Sequence, residues 1–146
     1  MPKNRKIRLV TDANIWISTL WTPRFQSRTD AFFDPEYRLL FSEELFDELN
    51  NAVRKPKLAK RISRTSCEEL IAVLRRNVEL VDVHSVVNVC RDPEDDYLLA
   101  LAKDGNADYL ITGDLDLLTM KEFENTKIVS LTDFEKEQKP EWSAAK

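Results

Sequence analysis

The sequence predicts an α/β protein with a central parallel sheet covered by helices on both faces. Short apolar runs of strand length alternate with stretches of helical period along the chain, which is the pattern of parallel strands joined by helical crossovers. Helix-start chemistry, with Ser or Asp ahead of an acidic first turn, recurs between those runs. The 146 residues suit one domain with a real core, and no repeat, low-complexity tract or internal linker interrupts them. One domain over 1–146 is expected, with its core over about 7–134.

Ile7 to Thr11 reads as a first strand and Ala13 to Leu20 as a short helix. Residues 22–35, bounded by Pro23 and Pro35, read as irregular or loosely helical. Tyr37 to Phe41 is a second strand. Ser42 caps a helix with Glu43 and Glu44 in its first turn, where negative charge suits the helix dipole, and that helix stops at Pro56. Lys57 to Ser63 is a short helix, and Ser66-Cys67-Glu68-Glu69 has the form of a capping box opening a helix to about Asn77. Val78 to Val83 is strand-like and Val86 to Cys90 extended. Asp92-Pro93 starts a helix with Asp as cap and Pro at the first position, and Gly105 ends it. Tyr109 to Thr112 is a strand, Asp116 to Phe123 a short helix and Lys127 to Leu131 a last strand. Thr132 to Glu135 caps a final helix, and the tail beyond Pro140 is expected to be loose.

Acidic residues stand where this pattern brings chain segments together. Asp12 and Asp114 each follow an apolar strand, and in an open α/β sheet ligands bind beyond the carboxyl ends of the strands. Glu48 borders the apolar stripe of Leu45, Phe46, Leu49, Ala52 and Val53, with Glu44 its rival one turn earlier. Asp95 and Asp96 open Tyr97-Leu-Leu-Ala-Leu-Ala102, a helix apolar nearly all round and hence largely buried; period alone does not choose between them. Asp92 is most simply the cap. Thr112, Asp114 and Asp116 lie within five residues. Each acid has a bland reading: cap for Asp12, surface residue for Glu48, turn chemistry for Asp114. Together they form a cluster. Like charges 4 Å apart repel by about 4 kcal/mol at an effective dielectric of about 20, so the cluster calls for a cation.

The composition excludes several chemistries. One histidine, His84, leaves no Ser-His scheme or histidine zinc site, and it reads as a surface residue between two strand-like runs. Two glycines build no phosphate-cradling loop, and two distant cysteines build neither a disulfide framework nor a thiolate zinc site. No apolar run approaches the roughly 18 residues of a membrane span, and a cytoplasmic protein is the default expectation. The formal charge is −4, yet Arg54, Lys55, Lys57, Lys60, Arg61 and Arg64 form a stripe with no acid among them, able to hold phosphates.

Four segments, in order and spacing, resemble the PIN-domain family, in particular its toxin-like (VapC-like) branch: Leu9-Val-Thr-Asp-Ala-Asn14, Ser42 to Leu49, Cys90 to Ala102 and Tyr109 to Leu118. The resemblance implies a three-layer α/β/α sandwich with a central parallel sheet. It implies that Asp12, Glu48, Asp96 and Asp114 are the catalytic, metal-binding acids, choosing Asp96 by its place four before Ala100. Asp116 matches a further metal-site acid, and Asn14 and Thr112 match polar residues that orient the others. The function so implied is a Mg²⁺- or Mn²⁺-dependent endoribonuclease, one or two ions activating water against RNA phosphodiesters, as the toxin of a toxin-antitoxin pair. An antitoxin and a homodimer are the further partners implied, although no stretch marks the interface. Basic residues at 54–64 or Lys3 to Arg8 would hold the RNA backbone, and Trp16 and Trp21 would stack on bases unless they serve the core, the favoured reading for both. A haloacid-dehalogenase-like phosphatase would want a second Asp where Asn14 stands. A non-catalytic RNA- or protein-binding module is the other alternative.

Overall fold

The computed structural model describes residues 5–20, 25–90 and 92–138, and side chains there except those of residues 25–27. The expectations for Lys3, Trp21 and the tail beyond Pro140 lie outside these residues. A six-stranded sheet in the order β3-β2-β1-β4-β6-β5 organises the chain. Its strands are β1 (Ile7–Thr11), β2 (Tyr37–Phe41), β3 (Glu79–Leu80), β4 (Tyr109–Ile111), β5 (Glu122–Phe123) and β6 (Thr126–Val129). All neighbours pair parallel except the β5–β6 hairpin, which is antiparallel and was not foreseen. Leu9, Val10, Leu39, Leu40, Leu110 and Ile111 are all buried in the core, as expected of parallel strands covered on both faces.

Helices α1 (Ala13–Leu20), α2 (Phe25–Phe32), α3 (Glu43–Val53), α4 (Pro56–Ala59), α5 (Arg64–Asn77), α6 (Asp96–Asp104), α7 (Leu115–Met120) and α8 (Leu131–Glu137) fill the connections. The loosely helical reading of 22–35 sharpens into α2. Two caps stand earlier than expected: Ser63 accepts from the Ser66 N–H and opens α5, and Ser130 accepts from the Asp133 N–H and opens α8. In both places an earlier serine already has the extended backbone a cap needs, and it intercepts the orphan amides first. The strand foreseen at 78–83 shrinks to β3, because only Leu40 and Phe41 reach far enough to pair with it.

Strand order fixes where a ligand can bind. From β1 the chain steps outward to β2 and β3, then returns to place β4 on the other side of β1. The crevice above the C-terminal ends of β1 and β4 is therefore a topological switch point. Asp12 follows β1, and Thr112 to Asp114 follow β4.

Trp16 settles into the core: it is fully buried, its Nε1–H donates to Thr11 Oγ1 at 2.7 Å, and its ring lies 5.2 Å from that of Phe32. At the opposite pole of the sheet Arg8 clamps Glu79 with two guanidinium bonds of 3.2 and 2.7 Å, and its Nε–H donates to the Gly105 carbonyl at 2.7 Å. Gly105 ends α6 with φ −89°, so the left-handed turn its residue type invites is not what selects it. A Cβ there would come within 2.8 Å of Leu40 Cδ1 and 3.0 Å of the Leu101 carbonyl oxygen. Close packing selects the glycine.

Candidate metal centre

Asp12 continues β1 by one bond, its N–H donating to the Ile111 carbonyl at 2.9 Å. That bond fixes its backbone beside the end of β4 and turns its carboxylate into the switch-point crevice, where it is 8% exposed. The Thr112 hydroxyl donates to Asp12 Oδ2 at 2.8 Å, and the Asn14 N–H donates to Oδ1 at 3.1 Å. Thr112 Oγ1 in turn accepts the Asp114 N–H at 3.1 Å. One buried hydroxyl thus ties both strand-end acids together. Asp114 caps α7, its Oδ1 accepting the Asp116 N–H at 2.8 Å. Asn14 reaches Asp12 through its backbone, and its side chain is exposed, as is that of Asp116.

The acid beside this pair is Asp95, from the turn that leads into α6. Burial, then the Asp114 carboxylate against it, then the charges of Asp92 and Asp12 push the Asp95 carboxyl up to about 7. Asp96, the acid expected here, has other work. Its Oδ1 accepts the N–H of Cys90 at 2.8 Å and of Val89 at 3.2 Å, and the Cys90 thiol adds to them. Those bonds hold its carboxyl below the usual range. The physical reason is the turn ahead of α6: Pro93–Asp95 is a 3₁₀ turn capped by Asp92, which accepts the Glu94 N–H at 3.0 Å. A 3₁₀ turn advances about 120° per residue instead of 100°, and it carries Asp95 onto the crevice side. Asp92 is a cap, as its position indicated.

Tyr97 was missed by sequence reasoning. Burial raises its phenol above the ordinary range, and the charges of Asp12, Glu48, Asp95 and Glu44 follow in that order. The same ring therefore feels the strand-end acid Asp12, Asp95 of the turn ahead of α6 and both α3 acids, and it remains a neutral phenol among them. The available signal was a hydroxyl-bearing aromatic directly after Asp-Asp on a helix otherwise apolar, since a buried Tyr needs a partner for its O–H. Glu48 and Glu44 are both exposed on α3, and the structure does not choose between them. Cys90 borders the cluster too. Its thiol is pushed up to about 12 by burial and by Asp96, Asp95 and Asp114, so it is a neutral, unreactive group.

Among the described residues no three Asp, Glu, His or Cys side chains stand close enough to hold an ion by themselves. The donor set is nevertheless all oxygen and strongly anionic, and no Lys or Arg ion pair of the described residues neutralises Asp12, Asp95 or Asp114. Hard divalent cations choose oxygen, and Mg²⁺ typically takes one or two carboxylates and keeps several waters. The residues fit a hydrated ion and do not form a dry cage.

The basic stripe runs over the end of α3, α4 and the start of α5. Arg54, Lys55, Lys57, Lys60, Arg61 and Arg64 are exposed around the buried Leu58, and Arg64 pairs with Glu68 at 3.0 Å. Arg54 caps the C-terminus of the helix that carries Glu48, about 9 Å further along its axis.

The model of the PIN domain family matches residues 8–116, and the chain belongs to that family. PIN domains are generally nucleases, typically use divalent metals, and point to RNA as the bound partner. A solved structure similar to this one is the crystal structure of PAE2754 from Pyrobaculum aerophilum, with a TM-score of 0.60, 14% identity and coverage of 98% of this chain and 99% of that one. At that identity the likeness concerns the fold, the mixed α/β architecture with a mostly parallel central sheet. No curated protein matches the chain. No helix of the described residues is long and apolar enough to cross a membrane.

Proposed function

We propose that the protein is a metal-dependent endoribonuclease, hydrolysing RNA phosphodiesters at the crevice above β1 and β4 and leaving a 5′-phosphate. The observation that carries the reading is the Thr112 hydroxyl, which donates to the Asp12 carboxylate and accepts the Asp114 N–H at one switch point, beside Asp95, whose carboxyl burial and Asp114 push up to about 7. Asp12, Asp95 and Asp114 would hold Mg²⁺ or Mn²⁺, with Glu48 and Asp116 on the rim. A bound ion supplies Lewis-acid activation of water and phosphate. Thr112, bonded to the Asp12 carboxylate and to the Asp114 N–H, would position both acids. Tyr97 offers a neutral O–H donor beside the acids. The stripe from Arg54 to Arg64 attracts the RNA backbone along α3, with the salt dependence of phosphate contacts. Toxin activity neutralised by an antitoxin is the biological setting we propose for it.

Asp96 was the expected ligand, and we assign that place to Asp95 because Asp96 already carries the backbone of residues 89 and 90. The test is Mn²⁺-dependent cleavage of a single-stranded RNA oligonucleotide. Asp12→Asn and Asp95→Asn are expected to lower the rate by roughly 10²-fold or more, as removal of a group stabilising developing charge does. Undiminished cleavage by both variants would sink the reading. The second reading, a non-catalytic RNA-binding module, draws only on the exposed basic residues from Arg54 to Arg64. It predicts RNA binding that Mn²⁺ does not alter.

A further inference from the structure

A cavity of about 350 Å³ opens between the end of α3, α4 and the first turns of α5, and none of the acids of the metal centre lines it. Its wall is largely aliphatic: Val53, Ile62 and Ile71 are all half-buried there. Val53 and Ile71 also pack against the core, which makes them a firm floor. Asn50, Arg54 and Arg64 supply the polar groups. The Asn50 Nδ2 donates to the Phe46 carbonyl at 3.1 Å. An amide has two N–H donors and an acceptor oxygen, so one donor and the acceptor remain side by side to meet a ligand. Glu68 is the one acid on the wall, and Arg64 already holds it at 3.0 Å. Arg54 pairs with no carboxylate among the described residues.

The space suits a small planar ring, and the charge at its mouth selects what carries that ring. A lone anion needs one or two cations. Here six stand between Arg54 and Arg64 with no acid among them, which matches a chain of phosphates. We infer that the cavity takes one unpaired base of a bound RNA strand. Its ring lies against the aliphatic wall, its edge meets the Asn50 amide, and the flanking phosphates rest on Arg54 and the lysines that follow. Bases of single-stranded RNA are read in this way, splayed out with their edges hydrogen-bonded.

The position of the cavity sets what the base can do. Asn50 and Arg54 stand about 200° and 240° round α3 from Glu48, on the flank turned away from the metal centre. The base held is therefore not the one beside the scissile bond. The strand passes over the end of α3 along the basic stripe and is gripped several nucleotides from the cut. The inference rests on RNA as the substrate proposed above.

Fluorescence anisotropy with chelator present tests it, using a labelled single-stranded RNA dodecamer and an abasic ribose-phosphate dodecamer. The wild type is expected to bind the RNA about tenfold more tightly than the abasic chain, the value of one well-seated base. Ile62→Glu, which sets a carboxylate in the slot, and Asn50→Ala are each expected to remove that preference. Arg54→Gln is expected to weaken both probes alike. Should Ile62→Glu melt early, Asn50→Ala carries the comparison. Equal binding of the two probes by the wild type overturns the inference, as does a preference that survives Asn50→Ala. Mn²⁺-dependent cleavage of the same RNA is measured separately. Cleavage without the preference strikes the cavity alone; the preference without cleavage supports the cavity and strikes the nuclease reading.

Discussion

Asp95 and Asp96 are adjacent carboxylates with opposite fates, and that difference can be measured. The Asp95 carboxyl is raised to about 7, above the ordinary Asp value near 3.9. The folded metal-free protein therefore holds a proton between about pH 4 and 7 that the unfolded chain releases, so this group makes stability fall as pH rises through that window. Divalent cation, which needs the deprotonated acid, is expected to bind more tightly as pH rises through 7, and to raise the melting temperature most at the alkaline end. Melts with Mn²⁺ and with chelator at pH 6 and 8 check this, and equal shifts at both pH values would contradict it. Thr112→Val should cost 10–100-fold in metal affinity or activity, the usual effect of losing a group that orients a ligand. Asp12 and Asp114 were legible because a strand end needs only a strand to be recognised. Helical period left Asp95 and Asp96 level, because the 3₁₀ turn at Pro93 breaks the phase that a wheel extrapolates backward from α6, and it was the family resemblance that chose Asp96.

Helix α6 does more than fill a crossover. Its two acids Asp96 and Asp104 lie eight residues apart, one at each end, and together they hold the extended segment 84–90 alongside it. Asp104 takes the backbone amides and the Ser85 hydroxyl, and Asp96 takes Val89 and Cys90. Both carboxyls are held below the ordinary range, first by the Ser85 and Cys90 side chains and then by the backbone amides. Stability from such groups is present above the ordinary carboxylate pKa and is lost as pH falls through the lowered values. Amide exchange at residues 84–90 is therefore expected to lose protection below about pH 4 before the sheet does. Asp104→Ala should reproduce that loss at neutral pH. Sequence reasoning saw residues 86–90 as extended but not what held them, since a carboxylate that accepts distant backbone amides leaves no periodic trace.

Over the whole molecule, the strand order places every acid of the proposed centre at one pole and the Arg8–Glu79 clamp at the other. The alternation of strands and helices made the parallel sheet legible from the sequence, and so the switch point. The β5–β6 hairpin was not legible because two-residue strands carry no period. Gly105 belongs to the Arg8 pole, where it closes α6 against Leu40 and Val81. Gly105→Ala is expected to destabilise the fold by about 1–3 kcal/mol through overpacking against a backbone carbonyl. Denaturant unfolding checks this, and an unchanged midpoint would contradict the packing argument.

The central claim is that Asp12, Asp95 and Asp114 together attract a hard divalent cation. Calorimetric titration of Mn²⁺ at pH 8 into the wild type, Asp95→Asn and Asp96→Asn tests it most directly. The account predicts binding to the wild type, loss in Asp95→Asn, and retention in Asp96→Asn with a lowered melting temperature. Loss in Asp96→Asn with retention in Asp95→Asn, or no Mn²⁺ uptake by the wild type, would contradict it.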